Sequence, residues 1–390
     1  MSKSIIRFYS HLLVITIIID YTSLYQFIIP DSIYTLMRIG IPMLLPVFKK
    51  GEMVAYKNWL KYLVIYYLYI SLFFLFHIET NFGYFFKFLV FFPILLYYYL
   101  CVKEKYRDEL LLIYNSWITK IAVVSLLLYF LGPLTNIITP TGKVFTEWGI
   151  PRNVDTYFYL LFNTQSLMFM GSEMFRNTSI FTEGPMCNFH FCLALLIELY
   201  VKKKPIRLNV LVLVLGILSV FSTTGQVLLI LILLSVPIKK IITLKTKRIY
   251  KLIIFVTVVP IFLFISYWGI SSIIMEKASS SAGSFVTHLV NMEDGISAFK
   301  NNPIVGGGIG NFISGSSNSF FVLLAEGGIC LTLLYVVTFM FFPYLGYRNT
   351  QNSNILLFSF FLFVLISFTV VPYAMITFLC MAYSFSSVKR

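Results

Sequence analysis

Apolar runs of about 20 residues, the length a helix needs to cross the hydrocarbon of a bilayer, succeed one another along almost the whole chain. They fall at 11–29, 33–48, 59–78, 82–102, 110–134, 185–201, 252–272, 318–344, 354–372 and 373–387. A chain of 390 residues that is 58% hydrophobic and 12% charged carries more apolar surface than a soluble domain can bury. The pattern predicts an all-α, polytopic integral membrane protein forming a single domain over 1–390. It excludes disordered and collagen-like chains, and four His make a metal-rich enzyme a poor fit.

The run 208–238 is too long for one upright helix and is interrupted by Ser222-Thr223-Thr224-Gly225. Its flanks, Lys202-Lys203-Lys204 and Lys239-Lys240, are both basic and so belong on the cytoplasmic side. The run therefore crosses an even number of times, read as two short helices with an outward turn at Gly225. The total becomes about twelve spans. With the N-terminus inside, most of the 30 Lys and Arg fall in the cytoplasm. Lys143, Arg152, Arg176, Lys277 and Lys300 then lie outside, and Arg38, Lys87 and Lys120 lie within spans. The net charge of +14 reads as topology and not as affinity for nucleic acid. Both termini are expected in the cytoplasm of a cell-membrane protein. No small-residue cleavage site follows the first apolar stretch, which is read as a retained span.

Two long segments, 135–184 and 273–317, fall outside, and long loops in a compact protein tend to carry function. In the first, the apolar stretch 157–170 is too short to span and is broken by Asn163-Thr164-Gln165-Ser166. It is expected to lie along the outer interface or to fold back onto the bundle. In the second, Phe285, Leu289, Met292, Ile296 and Phe299 share one helical face with Glu293 and Asp294 opposite, which predicts an amphipathic helix.

Cys187, His190 and Cys192 lack metal-ligand or disulfide spacing and read as packing residues, and no cofactor is expected. Gly306-Gly307-Gly308-Ile309-Gly310 follows no strand and precedes no Walker lysine, so it reads as a tight loop before a span. Charges inside spans are costly and call for a partner or a task. Arg38 and Lys87 lie roughly 7.5 Å below the outer ends of their helices, within reach of an outer cavity or of the headgroups. Asp20 and Lys120 fall at equal depth from the cytoplasmic end, which permits an ion pair. The first loop gathers Arg152, Asp155, Glu173, Arg176 and Glu183. An Arg fork suits phosphate oxygens and a Glu can take a proton from a hydroxyl; a solvated loop surface is the plain alternative.

The stretch Arg176-Asn177-Thr178-Ser179-Ile180-Phe181-Thr182-Glu183-Gly184-Pro185 resembles the Arg-x-x-(Gly/Ser)-x-Phe-x-Glu-Pro signature of the O-antigen polymerase and ligase family, the Wzy-type polymerases. Asn302-Pro303-Ile304-Val305-Gly306-Gly307-Gly308-Ile309-Gly310, then Ser317-Asn318-Ser319-Phe320, then Ala325-Glu326-Gly327-Gly328-Ile329 resemble that family's Pro-x-x-Gly-x-Gly, His-Asn and Glu-x-Gly-Ile series. Ser222-Thr223-Thr224-Gly225 is similar to its Ser-x-(Arg/Thr)-Gly turn. The matches cover roughly 176–330. Gly184 separates Glu183 from Pro185, Ser317 stands where many members have His, and Gly225 lacks a preceding Arg.

The resemblance implies glycan polymerisation: a growing chain leaves its polyprenyl pyrophosphate carrier for the next lipid-linked repeat unit, at the outer face of the membrane. The product would be O-antigen, capsule or exopolysaccharide. On that reading Arg176 and Arg152 stabilise the leaving pyrophosphate, with Arg38 and Lys87 as deeper helpers, and Glu183 assists the acceptor hydroxyl. Asn318 and Glu326 bind substrate or position helices, and His288 is the second choice of base. No metal motif is present, so metal-independent transfer is expected. Partners would be the lipid-linked oligosaccharide and membrane lipid, with a chain-length regulator and a flippase as neighbours, and no nucleic acid. The alternatives are a lipid-linked oligosaccharide flippase or other transporter, and a ligase; the missing His weakens the ligase.

Overall fold

Helices occupy the apolar runs, in which Leu, Ile, Phe and Tyr dominate and few residues compete for the backbone. A computed structural model describes residues 3–49, 53–76, 81–103, 106–148, 151–169, 172–243, 282–313 and 318–389. The helices are α1 (Lys3–Ile19), α2 (Asp31–Met43), α3 (Met53–Leu75), α4 (Phe82–Cys101), α5 (Glu109–Tyr129), α6 (Gly184–Leu196), α7 (Arg207–Ser219), α8 (Thr223–Thr243), α9 (Ala282–Asn301), α10 (Ser319–Val336), α11 (Phe342–Thr350), α12 (Ser353–Ser367) and α13 (Met375–Phe385). Wider π-turns extend α5 through Phe130–Leu134, α6 through Ile197–Val201 and α10 through Val337–Phe341.

Among the described residues, four helical stretches are long and apolar enough to cross a membrane: Gly83–Cys101, Glu109–Leu134, Gly184–Val201 and Ser319–Thr350. Ser4–Ile19, Arg207–Ser219, Thr223–Pro237, Ser353–Ser367 and Met375–Val388 are shorter apolar helices. The chain is thus a mostly helical membrane protein. The expected span 252–272 lies outside the described residues.

The centre of the bundle is α6. Nearly every residue from Gly184 to Leu196 is buried, as befits a helix that is apolar all round, and α5, α7, α8 and α12 pack on it. His190, in its middle, is fully buried, stacked on Phe181 at 4.2 Å, and bonded to Thr22 Oγ1 at 2.8 Å and to the Tyr114 hydroxyl at 2.5 Å. Cys187 and Cys192 are buried packing residues.

The expectation of an all-α chain is corrected in the segment 135–184, which holds two small sheets. Strands β1 (Gly142–Thr146), β2 (Arg152–Tyr157) and β3 (Leu161–Phe162) run antiparallel in that order, and β4 (Ser166–Phe169) pairs with β5 (Ser172–Phe175). Here the apolar residues alternate: Val144, Thr146, Val154 and Thr156 turn inward while Lys143, Phe145 and Asn153 turn out. Period-two burial is the mark of a strand. Tyr157 and Leu161 of this segment pack on Tyr129, in the last turn of α5.

Two further expectations shift. The break in 208–238 falls at 220–222, where Phe221 takes a positive φ of 51°. Gly225 lies inside the first turn of α8, where a Cβ would stand 2.0 Å from Asn188 Nδ2, so glycine is needed there for close approach and not for a turn. A helix forms there as α9 and packs on α10, but Met292 of the expected apolar face is exposed together with Glu293 and Asp294.

Candidate functional site

The motif 176–185 is held by backbone ladders to three other segments before its side chains do anything. Asn177 N donates to Ser219 O at 3.2 Å, Leu24 N to Ile180 O at 2.9 Å and Thr182 N to Thr22 O at 3.0 Å. The Thr178 hydroxyl donates to Phe162 O at 2.5 Å. Gln165 then spans the motif, its carbonyl accepting Arg176 N and its Oε1 accepting Gly184 N, each at 3.0 Å. Arg176 and the start of α6 are therefore fixed against each other.

Glu183 is the N-cap residue of α6 and is half-buried. Its carboxylate does not cap the helix; it lies near the Trp148 indole and in the field of Arg176 and Arg152. Burial raises the Glu183 carboxyl above its ordinary value, against the opposing pull of Trp148, Arg176 and Arg152. Burial likewise lowers the Arg176 guanidinium, against the pull of Glu183. Both shifts run against a strong ion pair, so desolvation outweighs attraction for each partner. Arg176 still carries its charge at neutral pH, and its Nε is buried without a hydrogen-bond partner. Arg152, exposed on β2, donates to Thr164 O at 2.6 Å.

Tyr21 joins this corner to a second charged cluster. It follows α1 in a left-handed conformation (φ 67°), packs edge-on against Trp148 at 5.5 Å, and lies near Tyr84. The ammonium of Lys87, on α4, lies 5.2 Å from the Tyr21 ring centre and 4.7 Å from that of Tyr84, a cation on two aromatic faces. Asp20, fully buried, accepts Met375 N at 2.8 Å and has Arg38 Nε 2.6 Å from its other oxygen. That last contact is an ion pair off the line of a hydrogen bond, and Arg38 also covers the Tyr34 ring at 5.1 Å.

The expected Asp20–Lys120 pair is thereby corrected. Helix α1 starts at Lys3, so Asp20 stands at its far end and not at mid-depth, next to Arg38. Lys120 rests over Trp117 at 5.0 Å.

Glu326 is engaged by the protein itself. Its oxygens accept Gly310 N, Phe312 N and Ile313 N, each at 2.7 Å, and the Tyr373 hydroxyl. Helix α10 is broken beside it at Gly328 (φ 55°), and the loop 306–310 wraps the break, Gly307 N donating to Ala325 O and Gly308 N to Glu326 O. A Cβ on Gly306 (φ 73°) would stand 2.4 Å from the Glu326 carbonyl carbon, which explains the glycine. Glu326 is a loop anchor whose charge still reaches Tyr21 and Tyr84. Asn318 caps α10, accepting Phe320 N at 2.8 Å. His288 lies on α9, and Ser317 lies outside the described residues.

The structure thus brings Arg176, Glu183 and Arg152 together and links them through Tyr21 to Arg38 and Lys87. Tyr21, Trp148 and Gln165 were not among the sequence candidates. Trp148 had one usable signal, being a single Trp in a loop rich in cations. Among the described residues no cluster of three His, Cys, Asp or Glu could hold a metal. Comparison of the chain with protein-family models, with curated proteins and with solved structures gives no match.

Proposed function

We propose that the chain is a polysaccharide polymerase that transfers a polyprenyl-pyrophosphate-linked glycan onto the next lipid-linked repeat unit. The observation that carries this reading is a half-buried carboxylate, Glu183, with two guanidinium groups around it at the mouth of a helical bundle. Acceptor hydroxyl, anomeric carbon and leaving pyrophosphate need a proton acceptor on one side and fixed positive charge on the other. Glu183 takes the acceptor proton as the hydroxyl oxygen attacks the anomeric carbon. The glycosidic C–O bond to pyrophosphate breaks, and Arg176 and Arg152 stabilise the charge released. Arg38 and Lys87 extend the positive field inward, and the faces of Tyr21, Tyr84 and Trp148 offer sugar rings an apolar floor.

The topology belongs to the same proposal: about twelve spans, both termini in the cytoplasm, and the sheets with Glu183 at the outer face of the cell membrane. That face is where lipid-linked units arrive after being flipped. The reading is tested by purifying the Arg176→Ala variant, reconstituting it in vesicles with lipid-linked repeat units, and resolving the products by length. Single repeat units should persist while the parent builds polymer, with equal protein recovered. Normal polymer from the variant would remove Arg176, and with it the proposed chemistry.

A further inference from the structure

The geometry points to a membrane-inserted aromatic turn: residues 158–160, between β2 and β3, enter the outer-leaflet interface and seat the sheet on lipid. The proposal rests on α5 crossing the bilayer in the orientation proposed above, and it stands apart from the transfer chemistry. Four observations carry it.

First, the apolar side chains of the turn are displayed and not packed. Phe158, Tyr159 and Leu160 are 55%, 47% and 43% exposed, whereas Tyr157 and Leu161 on either side are buried on Tyr129. Second, the turn continues a lipid-facing stripe. On α5 and the residues after it, Val123, Leu127, Phe130, Leu134 and Ile137 are exposed at alternating spacings of four and three, the face opposite the buried Ala122, Ser125 and Tyr129. Tyr157 packs on Gly132 in that stretch, where a Cβ would stand 2.5 Å from its ring, so the turn sits at the end of the stripe.

Third, both converging segments are uncharged: nothing ionisable at neutral pH stands between Lys120 and Lys143, or between Asp155 and Glu173. A polar partner would find no complementary charge there, whereas Phe, Tyr and Leu at a helix end suit the aromatic belt of a bilayer. Fourth, the N–H groups of the turn and the Tyr159 carbonyl all have hydrogen-bond partners within the protein. Phe158 N donates to Thr141 Oγ1 at 2.7 Å, Tyr159 N to Thr156 Oγ1 at 3.0 Å and Leu160 N to Tyr157 O at 3.0 Å, while Tyr159 O accepts the Tyr25 hydroxyl at 2.7 Å. Lipid offers no hydrogen bonds, so only a turn closed in this way can enter it. Phe158 and Tyr159 hold positive φ of 54° and 57°, a conformation that turns ordinarily give to Gly or Asn. Aromatic residues persist there against that preference, which fits a task for their side chains.

The test places a nitroxide on single cysteines at Phe158, Leu160 and Lys143 of the full chain, in vesicles of phosphatidylethanolamine and phosphatidylglycerol. Lys143, whose side chain is 72% exposed, is the aqueous control. Labels at 158 and 160 should meet dissolved oxygen more readily than a water-soluble nickel chelate, at a depth of roughly 5–10 Å below the headgroup boundary. The label at 143 should show the reverse. If 158 and 160 match 143, the turn is in water and the proposal fails; if they are shielded from both reagents, a protein surface covers them and it fails equally. The variant Phe158→Trp in the otherwise unaltered chain gives a second reading that keeps the ring: its added emission should be quenched by acyl-brominated lipid. Unquenched emission would overturn insertion.

Discussion

The two ends of α6 carry one glutamate each, and the two are treated in opposite ways. Glu198, in the last turns, is fully buried and accepts Lys202 Nζ at 2.9 and 3.1 Å, Ile206 N at 2.6 Å, Asn115 Nδ2 at 2.5 Å and Asn209 Nδ2 at 3.3 Å. Glu183, at the first turn, is half-buried, lies near the Trp148 indole, and faces an arginine whose Nε has no partner. A carboxylate with every lone pair engaged holds loops in place; one with capacity left over can take up a proton or a ligand. Glu326 belongs with Glu198 by this measure, although it stands at the Glu183 end.

The largest expected effect separates the two directly. Glu183→Gln keeps shape and removes basicity, so polymerisation of lipid-linked repeat units should slow by about 10²-fold or more with thermal stability unchanged. Should the rate stay within a few fold of the parent when chemistry is limiting, Glu183 is structural and the contrast with Glu198 collapses.

Glu198→Ala should do the opposite. It strands a lysine, two asparagine amides and a backbone N–H in a partly buried site, at roughly 1–3 kcal/mol for each buried group left unsatisfied. Thermal unfolding in detergent should begin at a lower temperature, while the turnover of the surviving folded fraction stays at the parent level. Lost turnover without lost stability would show that this end of the helix also serves the reaction.

The smallest effect sharpens the picture of the Glu183 environment. A general base works ionised, so the rate should fall as pH drops through a carboxyl value that burial has raised above 4.5. The Trp148 N–H opposes that rise. Trp148→Phe should therefore move the acid limb of the pH–rate profile to still higher pH, leaving the plateau intact. A limb that does not move, or that moves down, would mean that Trp148 does not act on Glu183.

How much of this could be read in the chain beforehand depended on the distance over which each signal acts. Helix positions were legible because composition and period are local properties, and the loop cations could be named because a charge is unmistakable. The sheets in 135–184 were not, since their alternation runs over strands of two to six residues inside a stretch whose apolar content suggested lipid. Arg38 was preferred to Lys120 by Asp20 because α1 begins earlier than its apolar run, which moves Asp20 to the helix end. Nor could spacing reveal that Glu326 would be occupied by the loop 306–313, because those bonds form only once α10 breaks at Gly328.

The bond from Met375 N to Asp20 has a bearing on how the protein is made. Its partners lie 355 positions apart, and at about 5–20 residues per second of synthesis the later one leaves the ribosome roughly 20–70 s after the first. Throughout that interval Asp20 has Arg38 but not its helix terminus. The buried charge of Asp20 is therefore fully partnered only after α13 has emerged.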